Sequence, residues 1–574
     1  MRRLMQVVHS PLSIMCKNYI LVLFAFGELL KTNSYYSPYL IICIFYFMCR
    51  FRLAKIEGSS FSVNVGASYI FSIVFTSMIM AANYNIWEMY EIKGLIYFLL
   101  TLVGLFITFK DIFMTIAYWV SIDFKQCKKS DGQKLGILSF FISLFLDSFF
   151  LFSCRFPGNM SPDSMDQIYQ IFNINQLSNH HPIYHTWCVK IIIEIGLKLL
   201  GDINSALSFF FIIQIIFVSM SFSYVIVTLC DIGVHRYVIV GILIFQCFMP
   251  FNILYSITLW KDVPFAMFVM LFSLSMYRLL NGVNKQYIHL TIFILAGIGV
   301  CLFRSNGFIA LIMQFLFFIF VYKFNNKKIL FSLFFIIALS YVLKYPVLKG
   351  LNIPQPSEKE SLSIPLQQIA RVVKEDNDLT NEEMSLLNEV VDVDLMGECY
   401  VEYISDPVKD LLRAKDKQEY ISEHKSEYLH TYIAIGLRHI PIYMAAYFEQ
   451  TKGYYNSGYD YWRYCQYIPE NELGIKQKIY ISKMDKLFNH YIALFDDSIF
   501  QMFISIGVYT WITLSALFVG VVKKNKVAII TTILPLAVIG TLLLATPVFS
   551  EFRYAYANIV MAPVLLIISI FDNK

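Results

Sequence analysis

Charge is what this 574-residue chain has least of: 15% of its residues are Asp, Glu, Lys or Arg, whereas 57% are hydrophobic. A soluble domain needs more charge on its surface, so the composition and a mean hydropathy of +0.59 predict a multi-spanning membrane protein. Paired cysteine spacing is also missing. The 11 Cys are scattered, mostly within apolar runs, which argues against a structural zinc site and leaves packing as their expected role. Cys399 and Cys465, the two in the large polar region, are open to a bridge that spacing alone does not support. No small-residue cleavage site follows the basic start MRRLMQVVHS, so it reads as a retained segment rather than a removed signal peptide. The chain has no basic patch interleaved with aromatics on a soluble face, which argues against nucleic acid as a partner. Fixed-period repeats and low-complexity linkers are absent as well.

What is there is a succession of apolar windows. They fall near 18–31, 37–50, 63–83, 94–119 and 134–154, then near 203–230, 235–251, 256–280, 287–303, 306–322 and 328–344, and last near 498–521, 526–546 and 554–571. About twenty apolar residues in a helix satisfy their own backbone groups in lipid, so the expected fold is an all-α polytopic membrane protein of about 12–14 transmembrane helices. With the basic amino terminus in the cytoplasm, the loops Arg50–Lys55, Lys125–Lys134, Arg278–Lys285, Lys323–Lys328 and Lys523–Lys526 all fall inside, as cytoplasmic loops should. The same alternation carries the 155–186 loop, Arg304, the 345–497 region and the Glu551–Arg553 turn to the outer face. About 25 of the 41 acidic residues lie between Lys349 and Asp497, against about 16 basic ones. That region has amphipathic helical signals at 361–375 and 380–391, with Thr380 and Glu383 spaced as a capping box, and is expected to be a large, mostly helical outer region. Lys190, Glu194 and Lys198 recur every four residues, which predicts an interfacial helix rather than a span. The chain thus divides into 1–133, 134–344, 345–497 and 498–574.

One loop concentrates reactive side chains: Arg155 to Thr186, RFPGNMSPDSMDQIYQIFNINQLSNHHPIYHT. With Ser161 as cap and Pro162 in the first turn of a helix, Asp163 and Asp166 share a face. His180, His181 and His185 follow, with Pro182 stiffening the chain between them. The functional reading is chemistry or charge binding at a membrane surface; the plain one is a solvated loop whose Asp residues cap helices. Arg304, in CLFRSNG, ends an apolar run at the outer level, where it either meets phosphate or snorkels to headgroups. Arg553, in SEFRYAY, sits at the matching level or pairs with Glu551. Lys261 and Asp262 interrupt an apolar run, which is costly unless they pair with neighbours or face a cavity. The aromatic stretch YYNSGYDYWRYCQY (454–467) is either an interfacial belt or a wall facing a substrate.

These residues bear a family likeness. The acidic PDSMDQ (162–167) followed by HHPIY (180–184) resembles the first outer loop of the GT-C superfamily, integral membrane glycosyltransferases that take sugars from polyprenyl-phosphate donors. Members often carry adjacent acidic residues and HPPL. Here Ser164 and Met165 separate the carboxylates and the second element reads HHPI, which leaves open which Asp is the base. The order PDS-D, NHHP, FRSNG, IPLQQ, FRYAY also resembles an uncharacterised Gram-positive bacterial membrane family assumed to belong with these enzymes. The likeness runs from about residue 134 to the end and leaves the first four spans unexplained.

The resemblance implies a GT-C-like core at 134–344 with 155–186 as its catalytic loop. Asp163 and Asp166 would be the catalytic pair and candidate ligands of a divalent cation (Mg or Mn). His180, His181, Lys261, Asp262, Arg304, Asn306 and Arg553 would bind substrate. The implied activity is sugar transfer from a polyprenyl-phosphate donor to an envelope glycan, lipid or protein acceptor on the outer face of the plasma membrane. Such a transfer needs a carboxylate to take the acceptor proton and cations to hold the leaving phosphate. The alternatives are a transporter or flippase, or a polymerase or ligase, of lipid-linked glycans. A flippase is expected to place charges along the mid-membrane, whereas here they gather at one face.

Overall fold

The computed structural model describes residues 11–32, 37–56, 65–85, 91–122, 131–355, 361–376, 378–415, 418–459, 461–496 and 499–572. The basic amino terminus and most of the Lys125–Lys134 loop lie outside them. Among the described residues four helices come first: Pro11–Thr32 (α1), Ser37–Ile56 (α2), Val65–Ala82 (α3) and Glu91–Ser121 (α4). Gly132–Cys154 (α5) leads into the reactive loop, which holds Pro162–Ile171 (α6) and is followed by Ile183–Leu200 (α7). Next are Ile203–Ile232 (α8), Arg236–Phe248 (α9), Pro250–Ser256 (α10), Asp262–Leu280 (α11), Gln286–Phe303 (α12), Ser305–Tyr322 (α13) and Lys327–Val342 (α14). The 345–497 region is mostly helical, and Ile506–Val522 (α15), Lys526–Leu544 (α16) and Phe552–Phe571 (α17) close the chain. Among the described residues β structure is limited to isolated bridges.

Ten described helices are long and apolar enough to cross a membrane, or eleven if the bent pair α9 and α10 is one span, with Ser37–Arg50 and Ile506–Val522 as shorter apolar helices. The protein is an all-α, multi-pass membrane protein. As its charge spacing predicts, α7 is a helix that does not figure among the spans. Three expected spans need correction. The 235–251 run is broken at Met249–Pro250 and bends by 52°, because Pro250 lacks an N–H and its ring clashes with the preceding turn. Asn252 donates to the carbonyls of Phe245 and Gln246, both at 3.0 Å, and so satisfies acceptors the break exposes. The run expected from 256 becomes helical only at Asp262, since Ile257 and Leu259 bond instead to the backbone of Asn159. The 498–521 span likewise begins with a 3-10 turn, Ile499–Ile504, before α15.

Among the described residues three apolar cores hold the chain together. The largest is built from α5 through α14 with α15, α16 and α17. A second joins α1–α4 to one face of α15 through Trp511, Phe518 and Val519. The third lies inside the 345–497 region, where Leu366, Ile369, Val391, Leu412 and Ile435 meet. In lipid no hydrophobic gain drives span against span, so close approach matters. A Cβ at Gly104 would lie 2.4 Å from the Leu21 carbonyl oxygen, so α1 and α4 touch backbone to backbone.

The 345–497 region contains the expected helices Ser363–Glu375 and Asn381–Asn388, the latter opened by the Thr380–Glu383 capping box. Polar contacts seat it on one end of the bundle: Arg371 to the Tyr84 hydroxyl at 2.9 Å, Asn85 to Glu449 at 2.9 Å, and Ser405 N–H to the Pro547 carbonyl at 2.9 Å. Cys399 and Cys465 are free thiols, so the bridge left open by the sequence is not formed.

Candidate functional site

The site is built on the start of α6. Ser161 caps that helix, accepting from the Ser164 N–H, while the Ser164 hydroxyl accepts from the Ser161 N–H; Pro162 occupies the first turn. Two further bonds fasten this cap to the segment before α11: Trp260 Nε1 donates to Ser161 Oγ at 3.0 Å, and Ser164 Oγ donates to the Leu259 carbonyl at 2.6 Å. Upstream, the Asn159 N–H donates to the Ile257 carbonyl at 2.8 Å, and the Asn159 carbonyl accepts from the Leu259 N–H at 3.1 Å. Asp163 is therefore held close to Lys261. At the head of the loop Arg155 pairs with Asp485 and donates to Gln466 at 2.9 Å, tying α5 to the 345–497 region.

Charged groups from separate helices converge there. Arg553, in the first turn of α17, reaches Asp163 Oδ2 at 2.9 Å and Glu551 Oε1 at 3.1 Å. Its guanidinium lies 5.4 Å from the Trp260 ring and 5.5 Å from the Trp462 ring, so aromatic faces supply much of its surroundings. Arg304, at the junction of α12 and α13, pairs with buried Asp262 and sits 4.5 Å from the Tyr554 ring. Lys261 Nζ is 3.3 Å from His181 Nδ1, and His181 Nε2 is 3.5 Å from Asp166. Asp166 also accepts from Gln170 at 2.8 Å and Asn175 at 2.7 Å.

Protonation follows from these neighbours. Burial works to raise the Asp163 carboxyl, but Arg553 and then Lys261 outweigh it and hold the group below the usual carboxylate range. Its side chain is nevertheless 46% exposed, so an ionised carboxylate is open to an incoming molecule. Burial, and then Lys261, keep His181 neutral. Burial lowers Lys261 to about 8 despite Asp262 and Asp163. It raises Glu551 to about 7 against the pull of Arg553, with Asp262 adding to the rise. His185 is buried with neither ring nitrogen hydrogen-bonded, and burial lowers it to about 3.

Of the residues singled out in the sequence, Asp163, Asp166, His181, Lys261, Asp262, Arg304 and Arg553 come together. His180 is exposed and set edge-on against His181. Asn306 turns toward α16, donating to Thr541 at 2.9 Å. Asp163 and Asp166 leave α6 toward different partners, Arg553 and His181, rather than presenting a shared pair. They do not fit a divalent cation either: protein donors already occupy both, and no group of three or more His, Cys, Asp or Glu is placed to hold a metal among the described residues. The sequence reading missed Trp260, Trp462 and Tyr554 as parts of this site and gave Glu551 only an ion pair. The aromatic stretch 454–467 gave a signal for Trp462, since a wall was one of its two readings.

No curated protein and no solved structure matches the chain. A family model does, over residues 173–574, a range that begins after Asp163 and Asp166 but takes in His181, Lys261, Asp262, Arg304, Glu551 and Arg553. On that match the chain belongs to DUF6020, a family of unknown function.

Proposed function

We propose that this protein is a GT-C-like glycosyltransferase that moves a sugar from a polyprenyl-phosphate donor to a hydroxyl of an envelope glycan, lipid or protein, on the outer face of the plasma membrane. The observation that carries the reading is a half-exposed, ionised Asp163 faced by two cations, Arg553 at the start of α17 and Lys261 before α11, with a third, Arg304 between α12 and α13, near Lys261 in its pair with Asp262. Transfer needs both charge types within one site. The acceptor hydroxyl gives its proton to Asp163 as its oxygen bonds to the sugar anomeric carbon. The bond from that carbon to the phosphate oxygen breaks, and the electron pair leaves with the phosphate.

Arg304 and Lys261 offset the charge that develops on the phosphate, Arg304 through a planar fork suited to two oxygens. Arg553 orients Asp163, and Asp166 orients His181 beside Lys261. The roles of the two aspartates are thus separate, with Asp163 as base. General-base catalysis contributes about 10²–10⁴-fold, so Asp163→Asn should lower transfer by that factor with donor binding kept. Asp166→Asn should cost less. The assay is transfer from a radiolabelled polyprenyl-phosphate sugar by purified protein; near-native turnover by Asp163→Asn would remove this site from the chemistry.

A further inference from the structure

An unpaired cation marks the bilayer side of this site. Lys344 lies in a π-helical turn, Leu343–Val347, that continues α14 around Pro346. It is six residues before the end of the Lys327–Gly350 span, about 9 Å down the helix axis. Such π turns cluster at functional positions because they widen the helix and free carbonyls. Here the Tyr184 hydroxyl donates to the Leu343 carbonyl at 2.7 Å. Asn179, just before the His-Pro element, receives a matching anchor, its N–H donating to the Pro354 carbonyl at 2.9 Å. The reactive loop thereby closes onto the π turn, and a narrow cleft remains between them, lined by Asn179, Tyr184, Arg304, Ser305, Lys344 and Leu348.

Two cations therefore share one cleft, and they are balanced differently. Arg304 has Asp262. Lys344 donates only to the Ser305 carbonyl, at 3.1 Å, and lies 5.6 Å from the Phe308 ring; no carboxylate is within ion-pair distance of it among the described residues. An ammonium at the edge of the hydrocarbon is costly without a counter-ion. Around it the surface is lipid-facing, with Ile309, Tyr341, Val342 and Tyr345 exposed.

We infer that Lys344 and Arg304 form a phosphate site that is entered sideways from the bilayer, and that its ligand is the phosphate of a polyprenyl lipid. The inference rests on the reading that this end of the bundle receives a lipid-linked donor. The ammonium leaves the Ser305 carbonyl for a phosphate oxygen, opening the cleft, and the isoprenoid tail stays against the exposed faces of α13 and α14.

Full-length protein in phosphatidylcholine nanodiscs, titrated separately with polyprenyl phosphate, phosphatidylglycerol and inorganic phosphate, tests this by native mass spectrometry. Polyprenyl phosphate should bind best. Lys344→Gln and Lys344→Met should each weaken it about tenfold, as loss of one charged hydrogen bond does, and Lys344→Arg should restore most of it. Unchanged affinity in both neutral variants would overturn the site. Equal binding of phosphatidylglycerol would reduce Lys344 to an ordinary headgroup contact, and saturation by inorganic phosphate alone would remove the lipid from the assignment. Binding is scored without turnover, so Lys344-dependent binding together with full transfer by Asp163→Asn would sink the catalytic reading and leave this one standing.

Discussion

Removing Asp262 should destabilise the protein more than removing any other carboxylate of the site. The Asp262 side chain is 1% exposed and that of Arg304 10%, so neither charge has water to fall back on. Breaking a buried ion pair from one side costs about 3–5 kcal/mol, because the remaining charge stays buried and uncompensated. The rings of Tyr554 at 4.5 Å and Phe265 at 5.7 Å face Arg304 before and after the substitution, so they offset nothing new. Asp262→Ala should therefore lose about 3–5 kcal/mol in equilibrium unfolding in detergent micelles. Replacing both partners by apolar residues of similar size removes the stranded charge, and Asp262→Leu with Arg304→Met should come within about 1 kcal/mol of the native chain or exceed it. That double variant should still lose donor affinity, which separates the pair's function from its effect on stability. A loss below about 1 kcal/mol in Asp262→Ala, or a double variant no more stable than the single one, would refute the reasoning.

The other predictions concern protons, orientation and close packing. Glu551 keeps its proton to about pH 7 when folded but to only about 4.3 when unfolded, so the folded state binds more protons between those values. Stability should thus fall as pH rises from about 4.3 toward 7. Glu551→Gln should flatten that slope in unfolding measured across pH, and an unaltered slope would count against the burial argument. Ser178→Cys should react with an impermeant maleimide in intact cells; reaction only after permeabilisation would reverse the orientation drawn from the basic loops. At Gly507 a Cβ would stand 2.1 Å from the Asn456 carbonyl oxygen, so Gly507→Ala should push α15 from that segment and cost about 1–3 kcal/mol, read as a lower Tm and faster proteolysis between 454 and 467.

The spans were legible because about twenty apolar residues in lipid have few options besides helix, and Ser161–Pro162 and Thr380–Glu383 were legible because caps are written in adjacent residues. The break at Pro250 is written there too, but hydropathy averages over it. Partners were harder. Arg553 meets Asp163 across 390 residues and Arg155 meets Asp485 across 330, and nothing local encodes either pairing. The three-residue spacing of Asp163 and Asp166 correctly predicted one short helix and wrongly suggested one shared pair, since each side chain answers to whatever packs against it. Glu551 was visible in the same turn as Arg553; its buried, proton-holding character appears only once Asp262 and Asp163 are seen beside it.

Sharing of α15 between two cores has a consequence for how the protein is made. Helices α1–α4 leave the ribosome well before α15, yet Trp511, Phe518 and Val519, which complete their core, belong to a segment that begins at Ile506. At about 5–20 residues per second, translating from Ser121 to Ile506 takes roughly 20–80 s. Through that interval the earliest helices wait in the bilayer as a provisional bundle, with one seam lined by lipid. Helices inserted early are thus finished late, and a ribosome stall anywhere in the 345–497 region would leave α1–α4 without their closing partner.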